Sequence, residues 1–115
     1  MAHFAEVIDG VVKRVIVADT QEWCETNLGG TWVQTSYNTR ANQHPTGQPL
    51  HKNYAGVGFT WDGTGFAEPK PYDSWTLDAE TYIWNAPTPY PTEEGKLFTW
   101  DEPTLSWVEV VLPTE

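Results

Sequence analysis

The sequence predicts a mainly β fold: a small single domain of antiparallel hairpins with one short helix and Pro-rich extended connectors. Three observations carry that expectation. Two β-branched runs flank Asp9-Gly10, an aromatic-Thr-apolar-Asp tetrad occurs three times in the second half, and Pro-x-Pro-Tyr stretches follow its first two copies. A chain of 115 residues can close one hydrophobic core without a metal or a disulfide, so residues 1–115 are read as one domain. Seven Trp, five Tyr and four Phe concentrate its apolar surface in a few large rings.

Taken in order, residues 4–8 and 11–17 form a hairpin, because Asp9-Gly10 supplies the positive φ angles of a tight two-residue turn. Its second arm, VVKRVIV, breaks strict alternation at Lys13 and Arg14, which points to a bulge or an edge position rather than a central strand. That arm, with Val11, Lys13, Val15 and Val17, is a candidate edge for strand addition. Asp19 or Thr20 can cap a helix over Gln21–Leu28 that Gly29-Gly30 ends. Residues 31–37, TWVQTSY, return to β character, with Trp32, Gln34 and Ser36 on one face.

Residues 38–53 hold Pro45, Gly47 and Pro49 with few apolar anchors, so they read as a long polar loop that adds little core. Loops of this length are either functional or tolerated insertions. This one collects Arg40, His44, His51 and Lys52, and with Tyr54, Tyr72 and Tyr90 these form the candidate partner-binding set.

Residues 54–115 are expected to form three aromatic-clasped hairpins. FTWD at 59–62, WTLD at 75–78 and FTWD at 98–101 each supply a strand, followed by an Asp placed to accept backbone N–H bonds in the turn. Thr81 and Trp84 in the second copy match Thr104 and Trp107 in the third, which places an aromatic on the return strand opposite the first. The connectors Pro69-Lys70-Pro71-Tyr72 and Pro87-Thr88-Pro89-Tyr90 favour extended geometry and read as stiff spacers.

Charge and motifs narrow the function classes. Sixteen acidic against six basic residues give a formal charge of −10, which repels phosphate backbones and anionic lipid, so neither nucleic acid nor a membrane is an expected partner. The acidic excess lies mostly beyond Phe59 and serves either solubility or a basic partner. Cys24 is alone, so no intrachain disulfide forms, and the N-terminus lacks the basic and apolar regions of a signal peptide. His3, His44 and His51 show no metal-ligand spacing, and Ser36, Ser74 and Ser106 lie in no nucleophile motif. Repetition of Asp62, Asp78 and Asp101 at one turn position makes them turn residues rather than a catalytic pair. No cofactor, metal or catalytic residue is therefore expected, and the chain reads as a non-enzyme. Exposed Trp and Tyr would suit the apolar face of a sugar, so a glycan stays open as a ligand.

The strings MAHFAEVIDGVVKRVIV, GGTWVQTSYNTR, KNYAGVGFTWD and PKPYDSWTLDAETYIWNAPTPYP resemble a family of small proteins of marine cyanobacterial phages (cyanophages). The resemblance spans nearly the whole chain and is most specific at residues 29–38, at 52–56 and around Ser74-Trp75 and Trp84. It implies a bacteriophage origin and a protein made in the host cytoplasm. A short, acidic, β-rich chain of that origin fits a virion structural protein, either capsid decoration or tail accessory. Its partners would be other capsid or tail proteins, with homo-oligomers possible. The rival readings are a carbohydrate-binding module for host-surface glycan and an intracellular modulator of a host protein.

Overall fold

The computed structural model describes residues 1–111; residues 112–115, the end of the expected third hairpin region, lie outside them. The fold is mainly β, with 34% strand against 7% helix. Its residues gather into two compact units, Met1–Pro69 with Asp78–Ile83, and Lys70–Leu77 with the residues from Trp84 onward.

The first unit is built on a five-stranded antiparallel sheet. Strands β1 (Ala2–Ile8), β2 (Val11–Ala18), β3 (Thr31–Thr35), β4 (Thr60–Trp61) and β5 (Phe66–Ala67) lie in the order β3-β1-β2-β4-β5. Asp9 and Gly10 turn between β1 and β2 at φ 52° and 76°, as the two-residue turn requires. The expected bulge is present: Glu6 pairs with Arg14 and Val7 with Val12, leaving Lys13 as the extra residue. Its effect is to change the phase of β2. Val12 and Val15 both pack with Ala5, Val7, Ala55 and Phe66, while Ile16 and Ala18 pack with Phe4, Cys24 and Trp32. Two residues three apart share a face only because one residue between them is looped out.

The edge expectation for β2 is corrected by the sheet order. β2 is the middle strand of the five, and Val11 pairs with Thr60 of β4. Bonds from Val12 N–H to Phe59 O (2.8 Å) and from Gly58 N–H to Val12 O (2.9 Å) extend that contact. The sequence signal was the bulge alone, and a bulge also fits an interior strand when it rephases the core. Past Val12, β2 is registered only with β1.

Helix α1 (Gln21–Leu28) takes Thr20 as its N-cap, whose hydroxyl accepts the Trp23 N–H at 3.0 Å. Gly29 ends it at φ 71°. The helix inserts Cys24, fully buried, beside Phe4, Ala18 and Trp32. Burial pushes the Cys24 thiol up.

All three expected hairpins form. β4 and β5 join the large sheet, whereas β6 (Thr76–Leu77) with β7 (Trp84–Asn85) and β8 (Phe98–Asp101) with β9 (Ser106–Glu109) are separate two-stranded sheets in the second unit. Each hairpin sets the third residue of its tetrad opposite an aromatic: Trp61 with Phe66, Leu77 with Trp84, and Trp100 with Trp107. Asp62 Oδ1 accepts the N–H groups of Thr64 and Gly65, and Asp78 Oδ1 those of Glu80 and Thr81, at 2.8–3.0 Å. The third turn differs. Pro103 stands where Thr64 and Glu80 donate, and it has no N–H, so Asp101 instead accepts the Thr104 hydroxyl.

The connectors do more than space the hairpins. Tyr72 packs on Trp75 at 5.5 Å and Tyr90 on Trp107 at 5.0 Å between ring centroids. Lys70 lies over Trp84, and the Trp107 indole donates to Thr88 O at 2.8 Å. The central residue of each Pro-x-Pro-Tyr thus sits on the return-strand Trp of the hairpin that follows. An extended proline segment suits this because its carbonyls are not used internally.

Candidate functional site

The loop over residues 38–53 is held by a buried polar core that its composition concealed. Asn53 and Thr39 are buried. Asn53 Oδ1 accepts the Ala41 N–H at 2.8 Å, and its amide donates to Phe66 O (2.9 Å) and to Thr81 O and Tyr82 O (both 3.2 Å). Thr39 Oγ1 accepts the Leu50 N–H at 3.2 Å, and Thr39 O accepts the Tyr54 N–H at 2.8 Å. Each bond satisfies a backbone group that would otherwise be stranded away from water. The loop adds no residue to the two hydrophobic clusters, as expected, but it contributes the buried polar pair Thr39 and Asn53.

That scaffold shapes a cleft of about 280 Å³ lined by Tyr37, Thr39, Arg40, Asn53, Tyr54, Phe59, Glu68, Tyr82 and Ile83. His3, on β1, meets the Tyr37 and Tyr54 rings at 5.5 and 5.7 Å between centroids. Tyr82 is fixed from three directions. Its hydroxyl donates to Asp62 Oδ2 at 2.6 Å, Lys52 Nζ lies 5.4 Å from its ring centroid, and Asn53 holds its carbonyl. Gly65 permits the packing, since a Cβ there would collide with Lys52 Cγ and press on Tyr82.

The electrostatics follow from these contacts. Burial works upward on the Asp62 carboxyl, but the Tyr82 hydroxyl and the Gly65 and Thr64 N–H groups together outweigh it and lower its pKa. The same bond to a carboxylate raises the Tyr82 phenol, which stays protonated as a donor. Backbone strain also collects here. Ala41, Asn42, His51, Lys52 and Tyr82 all hold φ between 51° and 74° without being glycine, a conformation that costs about 1–2 kcal/mol per residue.

The sequence-derived residues divide clearly. Arg40 and Tyr54 line the cleft. Among the described residues the Arg40 guanidinium has no hydrogen-bond or ion-pair partner. His51 and Lys52 turn inward: His51 Nδ1 lies 2.6 Å from Gln34 O and its ring meets Trp61 and Phe66 edge-on, so both residues build the cleft's support. His44 bonds locally to Thr46 beside a shallower depression. Tyr72 and Tyr90 belong to the second unit. Of the strand-addition set, Val11 is covered by Thr60, Val15 packs into the core beneath the sheet, and Lys13 and Val17 are exposed. Sequence reasoning missed Tyr37, Tyr82, Glu68 and Asn53. Only Tyr82 carried a signal, as the residue four places after a turn Asp, where the matching Leu105 is also at positive φ.

The second unit carries its own aromatic groove, lined by Trp75, Trp84, Trp107, Tyr90 and the connector Ala86 to Pro89. Beside it, Glu102 accepts the Ser74 hydroxyl and N–H at 2.7 and 3.0 Å and the Trp100 indole at 2.8 Å. These bonds, led by the Ser74 hydroxyl, hold its carboxyl below the usual range. The hairpin of β8 and β9 has two unlike faces. Phe98, Trp100 and Trp107 meet Tyr90 and Trp75 on one, while Leu97, Val108 and Val110 are exposed on the other.

Among the described residues no group of three or more His, Cys, Asp or Glu is placed to hold a metal, and no helix is long and apolar enough to cross a membrane. No family model, curated protein or solved structure matches the chain.

Proposed function

We propose that this chain is a non-catalytic structural protein of a phage virion, a capsid decoration (cement) or tail accessory protein that acts by docking on other virion proteins. The observation that carries the reading is the outer face of the β8–β9 hairpin. Val108 of β9 is 46% exposed, and Leu97 and Val110, just outside β8 and β9 and joined by the Val110 N–H to Leu97 O bond, are 58 and 38% exposed. Such a sheet is marginal alone, and a row of aliphatic side chains on it gains stability when another protein covers it. The opposite face is stiffened by indole and phenol rings, so little ordering entropy is lost on docking. Many copies on one particle would convert a modest single-site affinity into avidity. The sequence resemblance to cyanophage proteins supplies the assembly.

The test uses Val108→Glu, which places a charge on the exposed face without entering the aromatic side. Particles lacking the protein are incubated with wild type or variant, and the bound fraction is measured after gradient purification. Loss of binding by a variant whose near-ultraviolet circular dichroism is native supports the proposal. Equal binding of wild type and variant rejects this face as the attachment surface.

A further inference from the structure

We infer that the cleft between Tyr37, Tyr54 and Tyr82 is a binding site for a neutral glycan, taking one or two sugar rings at a chain end. This goes beyond the docking proposal and does not depend on it, since it rests on a different surface and on different side chains.

The lining states the chemistry. Tyr37 and Tyr54 are 66 and 37% exposed, so their ring faces are open to the C–H face of a pyranose, the contact for which aromatic platforms suit sugars. Tyr82 and Phe59 complete the apolar wall. Against it stand Arg40, a donor whose guanidinium has no partner among the described residues, and Glu68, a carboxylate that lines the same cleft. A fork of donors and an acceptor together match sugar hydroxyls, each of which both donates and accepts. The volume, about 280 Å³, falls at the small end of ligand sites, which suits one or two rings rather than a long chain.

Charge selects the glycan class. The chain carries −10, and the lining holds one cation, Arg40, and one carboxylate, Glu68. A sulfated, phosphorylated or uronate-rich chain would meet net repulsion, whereas an uncharged sugar is indifferent to it. A purely apolar ligand would leave the Arg40 guanidinium desolvated without a partner, at a cost in affinity.

The cleft is also built before any ligand arrives. His3 meets the Tyr37 and Tyr54 rings, the Tyr54 N–H is tied to Thr39 O, and Tyr82 is bonded to Asp62. Of the five residues at positive φ, Tyr82 lines the cleft, and Ala41 and Lys52 are the chain neighbours of its lining residues Arg40 and Asn53. Strain of this kind persists where the surrounding structure over-determines it, as it does at binding clamps. A preformed aromatic wall removes the ordering cost that weak sugar contacts cannot repay.

The experiment is a glycan array of neutral and acidic oligosaccharides probed with the full chain, followed by calorimetric titration with the best neutral hit. The wild type is expected to bind one or more neutral glycans. Tyr54→Ala and Tyr37→Ala should each weaken that binding at least about tenfold. Arg40→Gln should weaken it while leaving the thermal midpoint unchanged, which separates ligand contact from folding. Val108→Glu should leave it untouched, which separates it from docking. Absence of any neutral hit, a preference confined to acidic glycans, or a neutral hit that survives both tyrosine substitutions overturns the inference.

Discussion

Replacing Asn53 with alanine is the sharpest test of how the loop is held. The substitution removes a side chain that serves the Ala41 N–H and the carbonyls of Phe66, Thr81 and Tyr82. Asn53 is 6% exposed and Phe66 is fully buried, so the Ala41 donor and the Phe66 acceptor lose their partner where water reaches poorly. An unsatisfied buried polar group costs about 1–3 kcal/mol, which for two groups gives about 2–4 kcal/mol after partial relaxation. The loss is large against a total stability of about 5–15 kcal/mol for a domain. In urea, with a slope of about 1.5 kcal/mol per molar, the midpoint should fall by about 1.3–2.7 M. Asn53→Asp should be worse, because it keeps the acceptor but loses both donors and places a charge among carbonyls. A midpoint for Asn53→Ala within about 0.3 M of wild type, at unchanged slope, would refute the claim that this amide organises the loop.

Three further outcomes follow from the fold. Leu105 holds φ 51° on an exposed turn, so Leu105→Asn should stabilise by about 0.5–1 kcal/mol, seen as a rise of about 2–5 °C in the thermal midpoint; no rise would show that the turn carries no strain. Asp62 has a lowered pKa when folded, so its contribution is complete above the ordinary Asp value of about 4 and fades as pH falls through the folded value beneath it. Asp62→Asn, followed by denaturation between neutral and strongly acidic pH, should therefore flatten the acid limb; an unchanged slope would contradict the assigned bonds. Because Lys13 is the looped-out residue, deleting it should leave Val12, Val15 and Ile16 on their present faces and give a folded protein, whereas deleting Val15 should turn Ile16 and Ala18 to the wrong face and abolish cooperative unfolding.

Local signals account for most of the fold that was legible. Asp9-Gly10, Thr20 with Gly29, and the repeated tetrad each specify backbone geometry within a few residues, and the hairpins and helix formed where those residues predicted. Partner choice among strands is a long-range property, so the place of β2 inside the sheet was misread from its bulge. The same limit hid the cleft. Arg40 and Tyr54 were found because they lie on one loop, but Tyr37, Glu68 and Tyr82 reach it from other segments. Asn53 gave no sign of its role, since a polar residue in a polar loop looks solvated until four backbone groups from distant segments converge on it. The Pro-x-Pro-Tyr connectors were recognised as extended, yet their docking on Trp84 and Trp107 depends on a hairpin register that composition does not reveal.

The most direct test of the central claim is quantitative mass spectrometry of purified particles from the source phage. A virion structural protein should be recovered in fixed proportion to the major capsid protein or to a tail component and should persist through gradient purification. Recovery only from infected-cell lysate, with none in the particle, would contradict the account and make the chain an intracellular binding protein.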